Sequence, residues 1–236
     1  MTSNARVAEL SANLAGVRRR IAAAAQSAGR DPADITLVAV SKTWPAADVL
    51  GLHSLGVVDF GESYDQEAKA KADALQTMGL DVRWHFVGRL QRNKCASIAR
   101  YADLVHAVDR AEVVAALAAA AARAGREIGV LVQVSLDGDS ARGGTPPGQV
   151  LELAATVAAA EGVTLRGVMA VAPLGGDPDD AFAVLSHAAE VVRAEHPGAR
   201  IISAGMTSDL EAAISNGSTC VRVGTALFGR RDHVLD

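Results

Sequence analysis

The sequence predicts an α/β fold, a single-domain TIM-type β/α barrel with an extra N-terminal helix, and three observations carry that prediction. Eight short β-branched runs alternate with longer, Ala-rich stretches of helical period along the 236 residues. Several of these runs are apolar on both faces, as parallel strands buried under helices are. No Pro/Gly/Ser linker or shift of composition divides the chain, so residues 1–236 read as one domain. Barrels of this kind commonly reach about 250 residues as a single unit. An open doubly wound sheet is the competing architecture, because it differs from the barrel by little more than a strand count.

In chain order, the leading helix is expected over 5–29 and the first strand over 35–40. Further strands are expected over 57–60, 82–87, 104–107, 128–134, 164–170, 200–203 and 220–223. Helices are expected over 45–54, 64–78, 110–124, 148–160, 178–194 and 208–215. Pro45 suits the first turn of the helix after the first strand. Ser63-Tyr64-Asp65-Gln66 and Ser208-Asp209-Leu210-Glu211 both read as capping boxes just beyond a strand.

The hydrophobic fraction of 50% is enough for one sizeable core. A formal charge of −4 gives no electrostatic footprint for nucleic acid or an anionic membrane. Cys95 and Cys220 are too few for a disulfide framework and lack metal-ligand spacing, which fits a reducing compartment. The first ten residues carry Arg6 and Glu9 rather than the apolar core of a signal peptide. No apolar run reaches the roughly 20 residues of a membrane span. The expectation is a soluble cytoplasmic protein without a membrane or nucleic-acid partner. The Gly-rich segment 137–144 lacks Walker spacing, and its Asp137 and Asp139 read as a solvated loop rather than a cation site.

Lys42 follows the apolar run Val38-Ala39-Val40 and so falls at the C-terminal face of a barrel, where active sites of this fold are built. A lysine partly desolvated there is a usable amine nucleophile for Schiff-base chemistry; the other reading is a surface lysine at a strand end. Ser203-Ala204-Gly205-Met206-Thr207-Ser208-Asp209 and Val221-Arg222-Val223-Gly224-Thr225 fall in the loops after strands seven and eight, the favoured phosphate cradle of barrels. Taken singly, each is equally an ordinary strand-to-helix turn. Arg222 inside an apolar strand is costly unless it meets a partner in the barrel or turns outward to a salt bridge. His85 reads as a satisfied core histidine or a cavity residue, with Trp84 and Phe86 on the opposite strand face. An RNA reading of Trp84–Lys94 finds little support in a chain with 3% aromatics and a negative charge.

The blocks Ala39-Val40-Ser41-Lys42-Thr43, Phe60-Gly61-Glu62-Ser63-Tyr64, Trp84-His85-Phe86-Val87-Gly88-Arg89-Leu90-Gln91-Arg92-Asn93-Lys94 and 217–229 occur in that order. Together they resemble the YggS/PROSC family of pyridoxal-phosphate homeostasis proteins over nearly the whole chain. The resemblance implies the fold of the alanine racemase N-terminal domain and pyridoxal 5′-phosphate as cofactor, held as a Schiff base on Lys42. It implies that Arg222 faces the pyridine nitrogen and that Gly224 and Thr225 form the phosphate loop. Ser203, Gly205 and Met206 match a second cofactor-proximal loop, and Ser63 and His85 complete the expected cofactor-binding set. The family usually has Asn at Ser63, His at Arg89 and Met at Ala204, changes at the pocket's rim rather than at its covalent anchor.

Two functions are weighed: an amino-acid racemase or lyase, and a non-catalytic carrier that holds pyridoxal phosphate for vitamin B6 homeostasis and supplies apo-enzymes. Guanidinium donates hydrogen bonds but cannot accept them, so Arg222 would keep the pyridine nitrogen unprotonated and the ring a weak electron sink. The resembling racemases also draw their second acid/base from another domain, which this sequence is not expected to contain. The expectation is therefore a carrier, monomeric by default, with no metal.

Overall fold

The computed structural model describes residues 3–139 and 141–230. The outermost residues of the 1–236 domain assignment, and Ser140 of the Gly-rich segment, lie outside that range.

Apolar residues at 10, 14, 17, 21, 24 and 25 follow the i, i+3/i+4 spacing of a one-sided helix, and all six are buried in α1 (Asn4–Ser27). Ser3 caps this helix, its Oγ accepting the Arg6 N–H at 3.2 Å. There follow β1 (Thr36–Val40), α2 (Ala46–Ser54), β2 (Asp59–Glu62), α3 (Asp65–Thr77), β3 (Arg83–Phe86) and α4 (Cys95–Ile98). Next come β4 (Leu104–Val108), α5 (Ala111–Ala124), β5 (Ile128–Gln133), α6 (Val150–Ala158) and β6 (Val163–Met169). The chain continues through α7 (Pro178–Glu195), β7 (Ile201–Ser203), α8 (Leu210–Ser215), β8 (Cys220–Val223) and α9 (Thr225–Phe228).

The strands pair in parallel in sequence order, and β8 closes on β1 with Val38 opposite Arg222. The closed order selects the barrel over the open sheet. All eight expected strands are present within about two residues. The one-turn helices α4 and α9 were not expected, being too short for a periodic signal.

Both expected capping boxes are corrected. The N-cap of α3 is Tyr64 and that of α8 is Asp209, and neither makes a side-chain cap bond. Asp209 instead accepts the Met206 N–H at 2.6 Å, closing the loop before the helix. Pro45 stands at the N-cap of α2 rather than inside its first turn.

The core has two compartments because strand side chains alternate. Outward residues such as Phe60 and Trp84, whose rings lie 6.2 Å apart, pack under the helices. Inside the barrel, Leu104, Ala107, Leu131 and Met169 form a small apolar plug. The interior also holds a polar group, with Asp59, His85, His106, Ser203 and Arg222 all buried. Among the described residues no helix is long and apolar enough to cross a membrane, and no cluster of side chains could hold a metal ion.

Candidate functional site

The C-terminal ends of β1, β2, β7 and β8 bring together most of the expected site. Lys42 lies two residues beyond β1, in a turn closed by the Trp44 N–H donating to Ser41 O at 3.0 Å. It is exposed on the rim, not partly desolvated as expected. Thr43, third in this turn, has φ +68°, a conformation β-branched residues rarely adopt. Such strain costs about 1–3 kcal/mol and persists only where the surroundings over-determine it.

Those surroundings are visible. Glu67 accepts the Thr43 N–H from below. Lys71 Nζ donates to Ser41 O at 2.7 Å, to Glu62 Oε1 at 2.6 Å and to Glu67 Oε1 at 2.6 Å. Ser41 Oγ donates to Glu62 Oε1 at 2.6 Å. Glu62 is fully buried and its second oxygen has no hydrogen-bond partner. Burial pushes its carboxyl above the usual range despite the bonds from Lys71 and Ser41. On the other side of the turn, Trp44 stacks on Phe228 at 5.8 Å, and Arg6 lies over the indole while pairing with Asp48 at 2.8 Å. The lysine is exposed, and its pedestal is fixed.

Arg222 turns into the barrel, which removes the outward salt-bridge reading. Nη1 donates to Ser203 Oγ at 2.6 Å and Nη2 to Ala170 O at 2.9 Å. Among the described residues no carboxylate pairs with it, and burial lowers its pKa. Two of the five guanidinium N–H donors meet protein acceptors, so donor capacity remains on a buried cation. The β1–β8 register places Lys42 four residues beyond Val38, Arg222's partner, toward the C-terminal rim.

The two loops flanking Arg222 interlock. Arg222 N–H donates to Gly205 O at 2.9 Å, and Ala226 N–H reaches Thr207 Oγ1 at 3.3 Å. Gly205 has φ +92°, and a Cβ there would lie 2.7 Å from Ala213 Cβ. A Cβ on Gly224 would lie 3.2 Å from Val40 O, beside the strand that carries Lys42. Thr225 begins α9, where the first amides of a helix have no intrahelical acceptor. Met206 is exposed at the rim, and its amide is already taken by Asp209. Ser63 sits half-buried one residue past β2, and Gly88 lies so close that a Cβ there would be 2.4 Å from Ser63 O.

His85 is placed elsewhere. It points into the barrel, as the alternation with Trp84 and Phe86 predicts, but toward the N-terminal mouth. There it lines a cavity of about 770 Å³ with Asp59 and Cys220. Its ring nitrogens lie 2.9 Å from Asp59 Oδ1 and 2.9 Å from His106 Nε2. It is linked to Arg222 through His106 and Ser203 rather than by direct contact.

The sequence reading overlooked Glu62, Lys71, Asp59 and His106. Glu62 was inside a quoted block, and His106 interrupts an otherwise apolar strand. Lys71 carried no signal, because a lysine on an amphipathic helix reads as solvated.

A buried guanidinium with donors to spare, a lysine above it and two glycine-relieved loops beside it suit a ligand with an aromatic nitrogen, a carbonyl and a phosphate. Comparison with known proteins points the same way. The family model described as "Alanine racemase, N-terminal domain" matches residues 12–232. A pyridoxal phosphate homeostasis protein of Mycobacterium tuberculosis is 47% identical, the match covering 96% of this chain and 94% of the relative. One from Escherichia coli is 37% identical, over 95% of this chain and 98% of the relative. The structure of PipY from Synechococcus elongatus with PLP bound matches at a TM-score of 0.81 and 32% identity, covering 93% of this chain and all of that one. The chain therefore belongs to the alanine racemase N-terminal domain family, among the pyridoxal phosphate homeostasis proteins.

Proposed function

We propose that this chain binds pyridoxal 5′-phosphate at the C-terminal mouth of its barrel, with Lys42 as the covalent anchor, and serves vitamin B6 homeostasis as a carrier rather than an enzyme. When bound, the cofactor supplies an aldehyde for Schiff-base formation and a pyridine ring that can accept electrons. The observation that carries the reading is Arg222, a buried cation without a carboxylate partner among the described residues and with donors to spare, at the barrel level below Lys42. Such a group donates to a ring nitrogen and cannot protonate it usefully, which favours holding the cofactor over withdrawing electrons through it.

Ser203 fixes the guanidinium from one side, and the Ser41–Trp44 turn fixes the backbone of Lys42. Gly205, Met206, Gly224 and Thr225 contribute the loops on which a phosphate would rest, and Ser63 contributes the rim. Relatives named for pyridoxal phosphate homeostasis and a PLP-bound neighbour support the cofactor and the role. The proposal includes a monomeric, cytoplasmic protein that passes the cofactor to apo-enzymes.

Borohydride reduction of the protein incubated with pyridoxal phosphate, followed by mass mapping, tests the anchor. A stable adduct on Lys42, lost in Lys42→Ala, is the expected result; a full adduct in Lys42→Ala removes Lys42 from its role. Exchange of amino-acid α-protons at about 1 s⁻¹ or faster would replace the carrier by a racemase or lyase.

A further inference from the structure

The interior of the barrel holds a continuous polar chain that runs from the cofactor end to the opposite mouth. Arg222 Nη1 lies 2.6 Å from Ser203 Oγ, which lies 2.9 Å from His106 Nδ1. His106 Nε2 lies 2.9 Å from His85 Nδ1, and His85 Nε2 lies 2.9 Å from Asp59 Oδ1. Asp59 is held in turn by Arg83 at 2.6 and 2.8 Å. His106 and Ser203 are fully buried, whereas Asp59 and His85 line the N-terminal cavity.

Donor and acceptor counting gives this chain a direction. Arginine only donates, so Ser203 Oγ accepts at that end; an ionised carboxylate only accepts, so His85 Nε2 must carry a proton at the other. Burial, His85 and Arg222 together hold His106 well below the usual imidazole range, so it carries a single proton. With both rings neutral, one arrangement satisfies every contact: the Ser203 hydroxyl donates to His106 Nδ1, His106 Nε2–H to His85 Nδ1, and His85 Nε2–H to Asp59. The opposite arrangement needs a proton on both nitrogens of His85. His106 then donates through Nδ1 to Ser203, whose hydroxyl proton turns away, toward the Cys220 thiol beside it. One proton is taken up, and no bond between heavy atoms changes.

We propose that His106 and His85 are positioning residues for Arg222. With Asp59 they hold the Ser203 hydroxyl, and through it the guanidinium, in one orientation, and a proton delivered to His85 from the N-terminal mouth reverses the chain. The inference rests on the reading that Arg222 faces the cofactor. Asp59, Arg83 and Asp103 lie on the mouth side of the two rings and Cys220 and Arg222 on β8, and Arg30, Asp34, Glu127, Arg166 and Arg200 line the rest of the same cavity.

The test begins on the ¹⁵N-labelled full chain without cofactor, by long-range ¹H–¹⁵N correlation of the imidazoles. With His85 neutral, both rings should carry the proton on Nε2. Where His85 carries a second proton, the His106 proton should have shifted to Nδ1 in the same step. Independent titration of the two rings, or an Nδ1-protonated His106 beside a neutral His85, overturns the chain. The second arm loads pyridoxal phosphate onto His106→Leu and His106→Gln. Loss of a hydrogen bond from a buried network predicts about tenfold weaker binding and an altered pH profile of the cofactor absorbance in Leu, largely restored in Gln. An unchanged affinity and profile in His106→Leu overturns the positioning role. If the wild type binds no cofactor while the imidazoles behave as stated, the cofactor reading fails and the polar chain stands.

Discussion

Replacing Lys71 by Met tests the pedestal beneath Lys42. The ammonium and Glu62 are 6% and 0% exposed, and the three acceptors of Nζ lie within 2.7 Å. Removing one partner of a buried pair leaves an uncompensated charge and costs about 3–5 kcal/mol. Glu62 is poorly placed to bear it, since its Oε2 already lacks a partner. A domain of this size loses about 2–4 °C of Tm per kcal/mol, so Lys71→Met should melt about 6–20 °C lower at neutral pH. The loss should depend on pH. Burial sets the folded-state pKa of Glu62 above its unfolded value, so its contribution favours the fold in acid and is given up as pH rises through the folded value. Without Lys71 that pKa rises further, and the gap to wild type should widen from near the carboxyl reference of 4.5 toward neutrality. Adding Glu62→Gln should recover most of the stability, because replacing both charges is often close to neutral. Urea and thermal unfolding followed by circular dichroism, at both ends of that pH range, is the assay. A loss under about 1 kcal/mol, equal at both ends, would refute the reasoning.

Other outcomes follow from single positions. Gly205→Ala should cost about 2–4 kcal/mol, from a Cβ 2.7 Å from Ala213 Cβ and an alanine forced to φ +92°, and should weaken pyridoxal-phosphate binding measured in parallel. Thr43→Gly should leave denaturant stability unchanged or raise it by up to about 1 kcal/mol, since it relieves a β-branched residue at φ +68°; a loss above 1 kcal/mol would show that the turn is unstrained. The Cys220 thiol, pushed up to about 11 by burial, should resist iodoacetamide in the native protein and react on unfolding; rapid native labelling would contradict its placement inside the barrel.

Much of the site could be read one residue at a time. Lys42 and Arg222 were identifiable because each breaks a local rule: a lysine ends an apolar run, and an arginine lies inside one. Gly205 and Gly224 stood out as small residues after strands. The two expected capping boxes failed for the opposite reason. Their spacing was right, but loops that must close over a barrel mouth adopt whatever backbone the tertiary contacts require, and Asp209 was drawn to the Met206 amide instead. His85 was read as opposite in face to Trp84 and Phe86, but alternation tells which side of a strand a residue takes and says nothing about depth along the barrel axis, and the fold sets it toward the N-terminal mouth.

The amino-acid pattern alone determined the eight strands, the leading helix and the α/β class, because these depend on local period and on apolar runs that only a buried parallel sheet accommodates; closure into a barrel was decided by the strand order. The pattern also singled out Lys42 and Arg222, whose residue types are unusual at their own positions. Tertiary structure decided which polar residues meet. Asp59, His85, His106, Ser203 and Arg222 come from five different strands, β2, β3, β4, β7 and β8, and span more than half of the chain. Lys71 becomes a buried cation only because α3 lies over β2 and presents it to Glu62. Such pairings are set by strand register and barrel closure, which are collective properties of the whole chain and leave no mark within any one segment.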